Sequence, residues 1–309
     1  MKILVVGNGQ HTNRRILPSL RKIAFIKSIY VADRNSENEY FKKNKKVNIL
    51  NYENILKNDT EFDFVIISTY PSSHLLNVKE LKNRTKNFII EKPITNDLDQ
   101  IQTKSFMEFY KKNNLKEGLM FFHHPFWKFL NSVISKYDFQ KLESNFTIPN
   151  NIDKNNFRLN KQKGGSSILD NGIYPISLIS ELGFSNLNVI NKRINYNKKY
   201  SIDISGQALL ESENIKKISI KWGLGVEYNN FVKLVDKKKE IYIPFFFSKP
   251  EQFKPIIYIK GEKNIEYRNI DQFRKMYSDF FLNKNIISEY TNFKSLNERY
   301  KLVKILLND

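Results

Sequence analysis

Lys92 stands between Glu91 and Pro93, directly after the apolar run Phe88-Ile89-Ile90. A lysine at the carboxyl end of a strand in an open parallel sheet faces the crevice in which such sheets bind ligands. Buried there, an ammonium group shifts its pKa readily and can move protons. The ordinary alternative is a surface lysine in a strand-to-loop turn, the default for any one lysine in a chain with 51 Lys and Arg. Position, more than residue type, singles out Lys92.

A second set of residues could cradle a phosphate. Gly7-Asn8-Gly9-Gln10-His11-Thr12 follows the apolar run KILVV and opens a stretch with helical spacing. Gly7 permits a tight turn, and Gly9 lets the backbone approach a pyrophosphate at a helix N-terminus. Gln10 and His11 complete the loop. Thr12 stands where the dinucleotide fingerprint has its third glycine, so the motif is incomplete. Asp33 ends the next strand, where an acid can bind ribose hydroxyls, or can equally cap a turn. Arg34 follows it and could accept a 2′-phosphate, so the cofactor is expected to be NAD or NADP.

Ser68-Thr69-Tyr70-Pro71-Ser72-Ser73-His74 ends a later strand. Small and turn residues there could let a nicotinamide or ribose approach. The alternative is a plain strand-to-helix loop in which Ser72 or Ser73 caps the next helix. Further along, Asp170 and Tyr174 lie four apart within GGSSILDNGIYPIS and would share one face of a helix. A lysine, an aspartate and a tyrosine together suit proton transfer to or from an alcohol oxygen, coupled to hydride transfer. Taken alone, Asp170 also reads as a structural hydrogen-bonder and Tyr174 as core.

Other chemistries lack their residues. The chain has no cysteine, which excludes disulfides, thiolate ligands and cysteine catalysis. The histidines are His11, His74, His123 and His124. Adjacent positions on a strand point to opposite faces, so His123 and His124 would rarely chelate one ion, and no metal is expected. Gly-x-Ser-x-Gly is absent, which argues against that type of serine hydrolase. The net charge is +19, from 51 basic and 32 acidic residues. Because the basic residues are scattered, a composition rich in Lys, Asn and Ile explains the charge better than nucleic-acid binding, while an anionic small substrate stays compatible. No apolar run reaches the length of a membrane span. The chain enters a strand at once without a signal-peptide pattern, and a cytoplasmic location is expected.

These residues need elements to hold them. Apolar runs at residues 2–6, 29–32, 47–50, 62–68 and 87–90 predict strands, with helical stretches at 13–23, 37–43, 52–57, 74–84 and 97–112 between and after them. A sixth strand is predicted over 118–122. Strand and helix alternating in this way predict a parallel, doubly wound sheet. After about Pro125 the pattern changes. Helices are predicted over 126–137 and 166–182, and strands over 142–148, 202–210, 215–222, 231–235, 240–243 and 256–259, with alternating apolar and polar residues typical of an antiparallel sheet. Helices over 270–282 and 296–307 close the chain. With 309 residues, two domains are expected, divided as 1–122 and 123–309.

Together these residues resemble the Gfo/Idh/MocA family of NAD(P)-dependent oxidoreductases, over nearly the whole chain. The resemblance rests on the glycine turn, Asp33, the STYPSSH loop with His74, and Glu91-Lys92-Pro93. In the second half it rests on Phe157-Arg158, Gly164-Gly165, Asp170-Asn171-Gly172 and FRKMYSDF at residues 273–280. It implies a Rossmann domain followed by an α+β substrate-binding and oligomerisation domain on an open, mainly antiparallel sheet. It also implies hydride transfer between nicotinamide and a carbonyl or secondary alcohol, often on a sugar. Lys92 matches the family's catalytic lysine and Asp170 the aspartate that orients substrate. Tyr174 stands where many members have histidine, and some relatives are similar in using tyrosine. Ser68, Thr69, Tyr70, Pro71, His74 and Glu91 join the glycine turn, Asp33, Arg34 and Lys92 as expected cofactor contacts. Lys92, His124, Arg158, Asp170 and Tyr174 are the expected substrate contacts. The leading expectation is a nucleotide-sugar ketoreductase or dehydrogenase acting as a homodimer or homotetramer, without nucleic acid or membrane partners. The alternatives are a dehydrogenase of a free polyol or dihydrodiol, and a non-catalytic dinucleotide-binding sensor.

Overall fold

The first strand, β1 (Lys2–Val6), is an almost wholly buried apolar run, and it sits in the middle of a parallel sheet. A computed structural model describes residues 1–34, 47–57, 59–149, 156–184, 186–250, 252–282 and 292–308. It divides the chain into two units, Met1–Leu119 with Phe273–Phe293, and Met120–Gln272 with Lys294–Asp309.

In the first unit, β1 is joined by β2 (Ser28–Asp33), β3 (Asn48–Asn51), β4 (Phe64–Ile67), β5 (Phe88–Glu91) and β6 (Leu115–Gly118). Their order is β3-β2-β1-β4-β5-β6, and every pairing is parallel. The central strands are buried on both faces, which is why they read as unbroken apolar runs. The direction of winding reverses at β1, between β2 and β4. The ligand crevice of such a sheet lies at the carboxyl ends of the strands flanking that reversal. Val6 and Ile67 end those strands, so the Gly7 turn and the Ser68 loop both open there.

Helices α1 (Leu17–Arg21), α2 (Tyr52–Lys57), α3 (His74–Leu81), α4 (Leu98–Ile101) and α5 (Lys104–Lys112) accompany these strands, with a π-helical turn at Thr12–Ile16 ahead of α1. The predicted helix over 97–112 is in fact two. Asp97 caps α4 by accepting from Gln100 N at 3.1 Å, and Thr103 caps α5 by accepting from Phe106 N at 3.1 Å. A cap residue has extended backbone, so the second cap must break the helix. The predicted strand over 118–122 is also displaced. The sixth strand is the polar run LKEG, and Met120–His123 instead forms a buried 3-10 turn. Glu117 earns its place in that strand because its Oε1 accepts from Ile94 N at 2.9 Å. The helix predicted over 37–43 lies outside the described residues. Helix α8 (Gln272–Phe281), from Phe273 onward, belongs to this unit and seals it with buried Met276, Tyr277 and Phe280.

The second unit is built on eight strands: β7 (Lys141–Ile148), β8 (Asn188–Asn197), β9 (Ile202–Glu211), β10 (Lys217–Leu224), β11 (Asn229–Val235), β12 (Glu240–Pro244), β13 (Ile256–Ile259) and β14 (Ile265–Glu266). Their order is β14-β13-β12-β11-β7-β10-β9-β8. Only the β7–β10 pair is parallel; the others are antiparallel. Alternation along β9, β10 and β11 sends Ala208, Leu210, Ile218, Ile220, Val232 and Leu234 to one buried face. On the opposite face Phe231, Tyr242 and Tyr258 form an aromatic ladder, with ring centroids 5.4 and 6.3 Å apart. The unit also carries α6 (Pro125–Ile134), α7 (Ile173–Glu181) and, from Lys294, α9 (Phe293–Leu307). The helix predicted over 166–182 begins as a π-helical turn, Ile168–Gly172, and only then becomes α7.

Candidate active site

The glycine turn of the first unit is a backbone device. Gly7 has φ +98°, in the left-handed region that favours glycine. A Cβ on Gly7 would strike the Ser68 carbonyl oxygen, so the backbone after β1 passes close against the backbone after β4 here. Around Gly9 a Cβ would meet nothing within 4 Å, which leaves room for a ligand at that backbone. Gln10 and His11 are exposed beside it. Thr12, in place of the third glycine, is fully buried; its hydroxyl donates to Gly7 O at 2.7 Å and meets Ser68 Oγ at 3.1 Å. It ties the turn to the β4 loop, a task the substitution of glycine makes possible.

Asp33, at the end of β2, accepts from Asn8 N at 2.7 Å, so its carboxylate stands beside the phosphate turn. Asn8 is itself held by Asn13, whose Nδ2 donates to Asn8 Oδ1 at 2.9 Å. Arg34 reaches Glu80 on α3 at 2.7 Å and lies 4.4 Å above the Tyr52 ring. A turn with open space over Gly9 and an acid at the end of β2 form an arrangement that could hold a dinucleotide.

The loop after β4 is held from within. Thr69 Oγ1 is shared by Asn77 Nδ2 and Ser73 Oγ, each at 2.9 Å. Tyr70 stays 45% exposed, while Pro71 is buried. His74 is buried at the head of α3, with Nδ1 2.8 Å from Pro93 O and Nε2 3.1 Å from Thr69 O. Burial pushes its ring below the usual histidine value, against the pull of those two carbonyls. A neutral imidazole donates to one of them at a time. His74 thereby pins the β4 loop to the Glu91-Lys92-Pro93 turn, whose Lys92–Pro93 peptide is cis.

Lys92 itself is half-buried at the end of β5. Beside it Glu91 is buried, 3.3 Å from His11 Nε2 and 3.5 Å from the Tyr277 hydroxyl of α8. Burial works to raise the Glu91 carboxyl, yet His11, Lys92 and His74 together hold it below the usual glutamate value. Glu91 is therefore a carboxylate that fixes the local charge around Lys92. Tyr277, within the FRKMYSDF stretch, and Glu80 are contributors that sequence reasoning did not single out; both act across long stretches of chain.

In the second unit Arg158, Asp170 and Tyr174 come together. Arg158 Nε donates to Asp170 Oδ2 at 2.6 Å. The Asp170 charge is the main reason the guanidinium is held above its usual value, with burial opposing and Tyr174 adding to it. Tyr174 is buried among Phe121, Phe146 and Phe247, with its hydroxyl 3.7 Å from Met120 Sδ. Asp170 lies in the π-helical turn and Tyr174 in α7, so the expected common α-helical face is replaced by a widened turn. Gly165 is needed because a Cβ there would approach Arg158 O to 2.5 Å. His124, expected at the substrate, is 2% exposed and accepts from Phe126 N at 3.2 Å, capping α6. Burial, then the nearby Lys249 charge, push its ring down to about 2, so it is neutral. Among the described residues no group of three His, Asp or Glu could hold a metal.

One further residue positions this set. Asp203 of β9 is buried and accepts from Ser166 Oγ and Ser167 Oγ at 2.6 Å each, and from Ile168 N at 2.7 Å. It anchors the start of the segment that carries Asp170. Asp203→Ala leaves Ser167 Oγ and Ile168 N buried without this acceptor and is expected to cost roughly 2–4 kcal/mol in denaturant unfolding. Asp203→Asn should recover part of that, because both hydroxyls can rotate.

A model of the oxidoreductase family with an NAD-binding Rossmann fold matches residues 1–116. The chain is similar to a dTDP-3,4-didehydro-2,6-dideoxy-alpha-D-glucose 3-reductase of Saccharopolyspora spinosa, 23% identical over 91% of this chain and 86% of that one. The reductase of the same name from Actinomadura kijaniata is 21% identical over 89% and 85%. Among solved structures, a 3-ketoreductase from Actinomadura kijaniata in complex with NADP and TDP-benzene superposes with a TM-score of 0.86, at 20% identity over 99% of this chain and 96% of that one. An aldose-aldose oxidoreductase from Caulobacter crescentus, complexed with glycerol, gives 0.81 at 13% identity over the same shares. At these identities the structural likeness is one of fold.

Proposed function

We propose, from the premise that this chain is an oxidoreductase of the Gfo/Idh/MocA family, that it reduces a keto group on the sugar of a nucleotide-linked hexose. The observation that carries this reading is end-to-end similarity to two reductases of dTDP-linked keto sugars, across 91% and 89% of the chain. Its direction is accordingly biosynthetic: a ketone is taken to a secondary alcohol.

The first unit is assigned to the dinucleotide and the second to the sugar, with the functional division near residue 122. The Gly7-to-Thr12 turn, Asp33, Arg34, the Ser68-to-Pro71 loop, His74, Glu91 and Lys92 are assigned to the cofactor. A bound reduced nicotinamide supplies the hydride that the carbonyl carbon accepts. Lys92 is assigned to polarise the carbonyl oxygen, which takes up the electron pair of the C=O bond as the carbon is reduced. Asp170, its geometry set by Arg158, orients the sugar hydroxyls. Tyr174 is assigned to give its phenolic proton to the developing alkoxide. A cationic chain suits a diphosphate-linked substrate.

We further assign the open face of the eight-stranded sheet, with its Phe231, Tyr242 and Tyr258 ladder, to a second copy of the chain, giving a homodimer or homotetramer. A cytoplasmic location and the lack of nucleic-acid or membrane partners belong to the same reading, as a nicotinamide-dependent reductase of an activated sugar requires neither. No helix among the described residues is long and apolar enough to cross a membrane.

The test is oxidation of reduced nicotinamide with a dTDP-linked 3-keto sugar, with free TDP added as inhibitor. Competitive inhibition by TDP against the sugar nucleotide is expected. Turnover of free polyols with no effect of TDP would replace the nucleotide-sugar reading by a polyol or dihydrodiol dehydrogenase. Dinucleotide binding without turnover of any sugar would point to a sensor.

A further inference from the structure

Arg34 would be the natural partner of a 2′-phosphate, but its guanidinium already has one. Glu80 Oε2 lies 2.7 Å from Arg34 Nη2. The same carboxylate oxygen accepts from the Tyr52 hydroxyl at 2.6 Å, and that hydroxyl also lies 3.0 Å from Asn77 Oδ1. The Tyr52 ring is the surface on which the guanidinium rests, 4.4 Å from its centroid. Burial, and then the hydrogen bond to Glu80, hold the Tyr52 phenol above its usual value, so it remains a donor to that carboxylate. Glu80 is thus fixed from α3 and Tyr52 from α2, and Arg34 is clamped between them.

The charge balance points the same way. Among the described residues, Asp33 and Glu80 set two carboxylates beside the Arg34 guanidinium at the end of β2, and Glu53 adds negative charge close to Tyr52. A doubly charged 2′-phosphate entering this place must displace Glu80 from Arg34 and then sit close to the Glu80 and Asp33 carboxylates. A ribose 2′-hydroxyl needs only an acceptor, and an acid at the end of β2 provides one.

We propose that Glu80 is the positioning residue that sets cofactor choice: by holding Arg34 on Tyr52 it biases the chain toward NADH over NADPH. The proposal rests on the dinucleotide reading of the first unit.

The experiment is equilibrium binding of NADH and NADPH, followed by the fluorescence of the bound nicotinamide, for the full chain and for Glu80→Gln, Arg34→Gln and the double variant. The full chain should bind NADH about fivefold to tenfold more tightly than NADPH. Glu80→Gln should improve NADPH binding by about the same factor and change NADH binding less than about twofold, in keeping with the size of a part-exposed ion pair. The double variant should lose that gain, and Glu80→Asp should restore the original ratio. Arg34→Gln should weaken NADPH binding less in the full chain than in the Glu80→Gln background, because in the full chain the guanidinium is engaged by Glu80.

A purely structural role for Glu80 would weaken both dinucleotides together, and that result overturns the proposal. So does a full chain that prefers NADPH, or an Arg34→Gln variant that alone abolishes NADPH binding. If the full chain binds neither dinucleotide, the oxidoreductase reading itself falls and takes the proposal with it.

Discussion

Lys92→Ala is expected to lower kcat for carbonyl reduction by about 10²–10⁴-fold, the range in which a positioned proton-transfer group acts. The affinity for the dinucleotide should change far less. Lys92 lies at the end of β5, and the neighbouring loop is fixed by contacts of other side chains: His74 to Pro93 O and Thr69 O, and Glu91 to His11. Single-turnover kinetics with saturating reduced cofactor separate the two effects. Lys92→Arg should not rescue the rate, because a guanidinium is a wide fork and not a compact donor on a flexible stem. Lys92→Ala also removes a positive charge beside Glu91, so the Glu91 carboxyl should rise toward its usual value. An unchanged turnover on every accepted sugar would remove Lys92 from the mechanism.

Gly7→Ala should have the largest effect on the protein itself. The alanine must adopt φ near +98°, and its Cβ must displace the Ser68 carbonyl at the end of β4. Backbone strain and overpacking each cost about 1–3 kcal/mol, so a loss of about 3 kcal/mol or more is expected in denaturant unfolding. The thermal stabilisation by added dinucleotide should vanish with it, since the turn and the β4 loop separate. Gly9→Ala provides the contrast. Its backbone does not need a positive φ and nothing stands within 4 Å of the added methyl. Stability should change by no more than about 0.5 kcal/mol, while dinucleotide binding weakens because the methyl occupies the approach of the pyrophosphate. Equal stability losses in the two variants would refute this division of labour.

Much of the fold is legible because local pattern and burial agree. KILVV, FVII and FIIE are buried on both faces of a parallel sheet, as short unbroken apolar runs bounded by turn residues suggest. The second sheet is legible from alternation, strict in β11 and β12 and partial in β9 and β10. The errors arise where side-chain satisfaction outweighs hydrophobicity. Residues 119–122 are as apolar as any strand, yet Met120–His123 coils into a buried turn, and the preceding polar run pairs with β5 because Glu117 has a backbone partner in Ile94. The widened turn at Ile168–Gly172 was equally hidden. It is held by Asp203 and by Asn171, whose Nδ2 donates to Gly223 O at 2.7 Å, both contacts to strands far along the chain. The candidate site residues could be picked out through spacing. The residues that hold them (Glu80, Asp203, Tyr277) were not, since each reaches its partner through tertiary structure alone.

Helix α8 carries a consequence for how the protein is made. Phe281 packs on Phe64 and Phe25 at 4.8 and 6.5 Å between ring centroids, and Phe273 packs on His11 at 5.5 Å. These contacts join residues 11, 25 and 64 to residues 273 and 281, which follow them only after a long stretch of chain. The whole of Met120–Gln272 must be synthesised, and looped out, before they can form. Closing so long a loop costs entropy that no local contact returns, and folding dominated by such distant pairings is slow. Until helix α8 is made the first sheet therefore lacks its cover over Phe64, a period in which chaperone binding competes with self-association. A gene fragment ending near residue 122 would prolong that state indefinitely, whereas grafting residues 273–293 back onto it by a short linker would end it early.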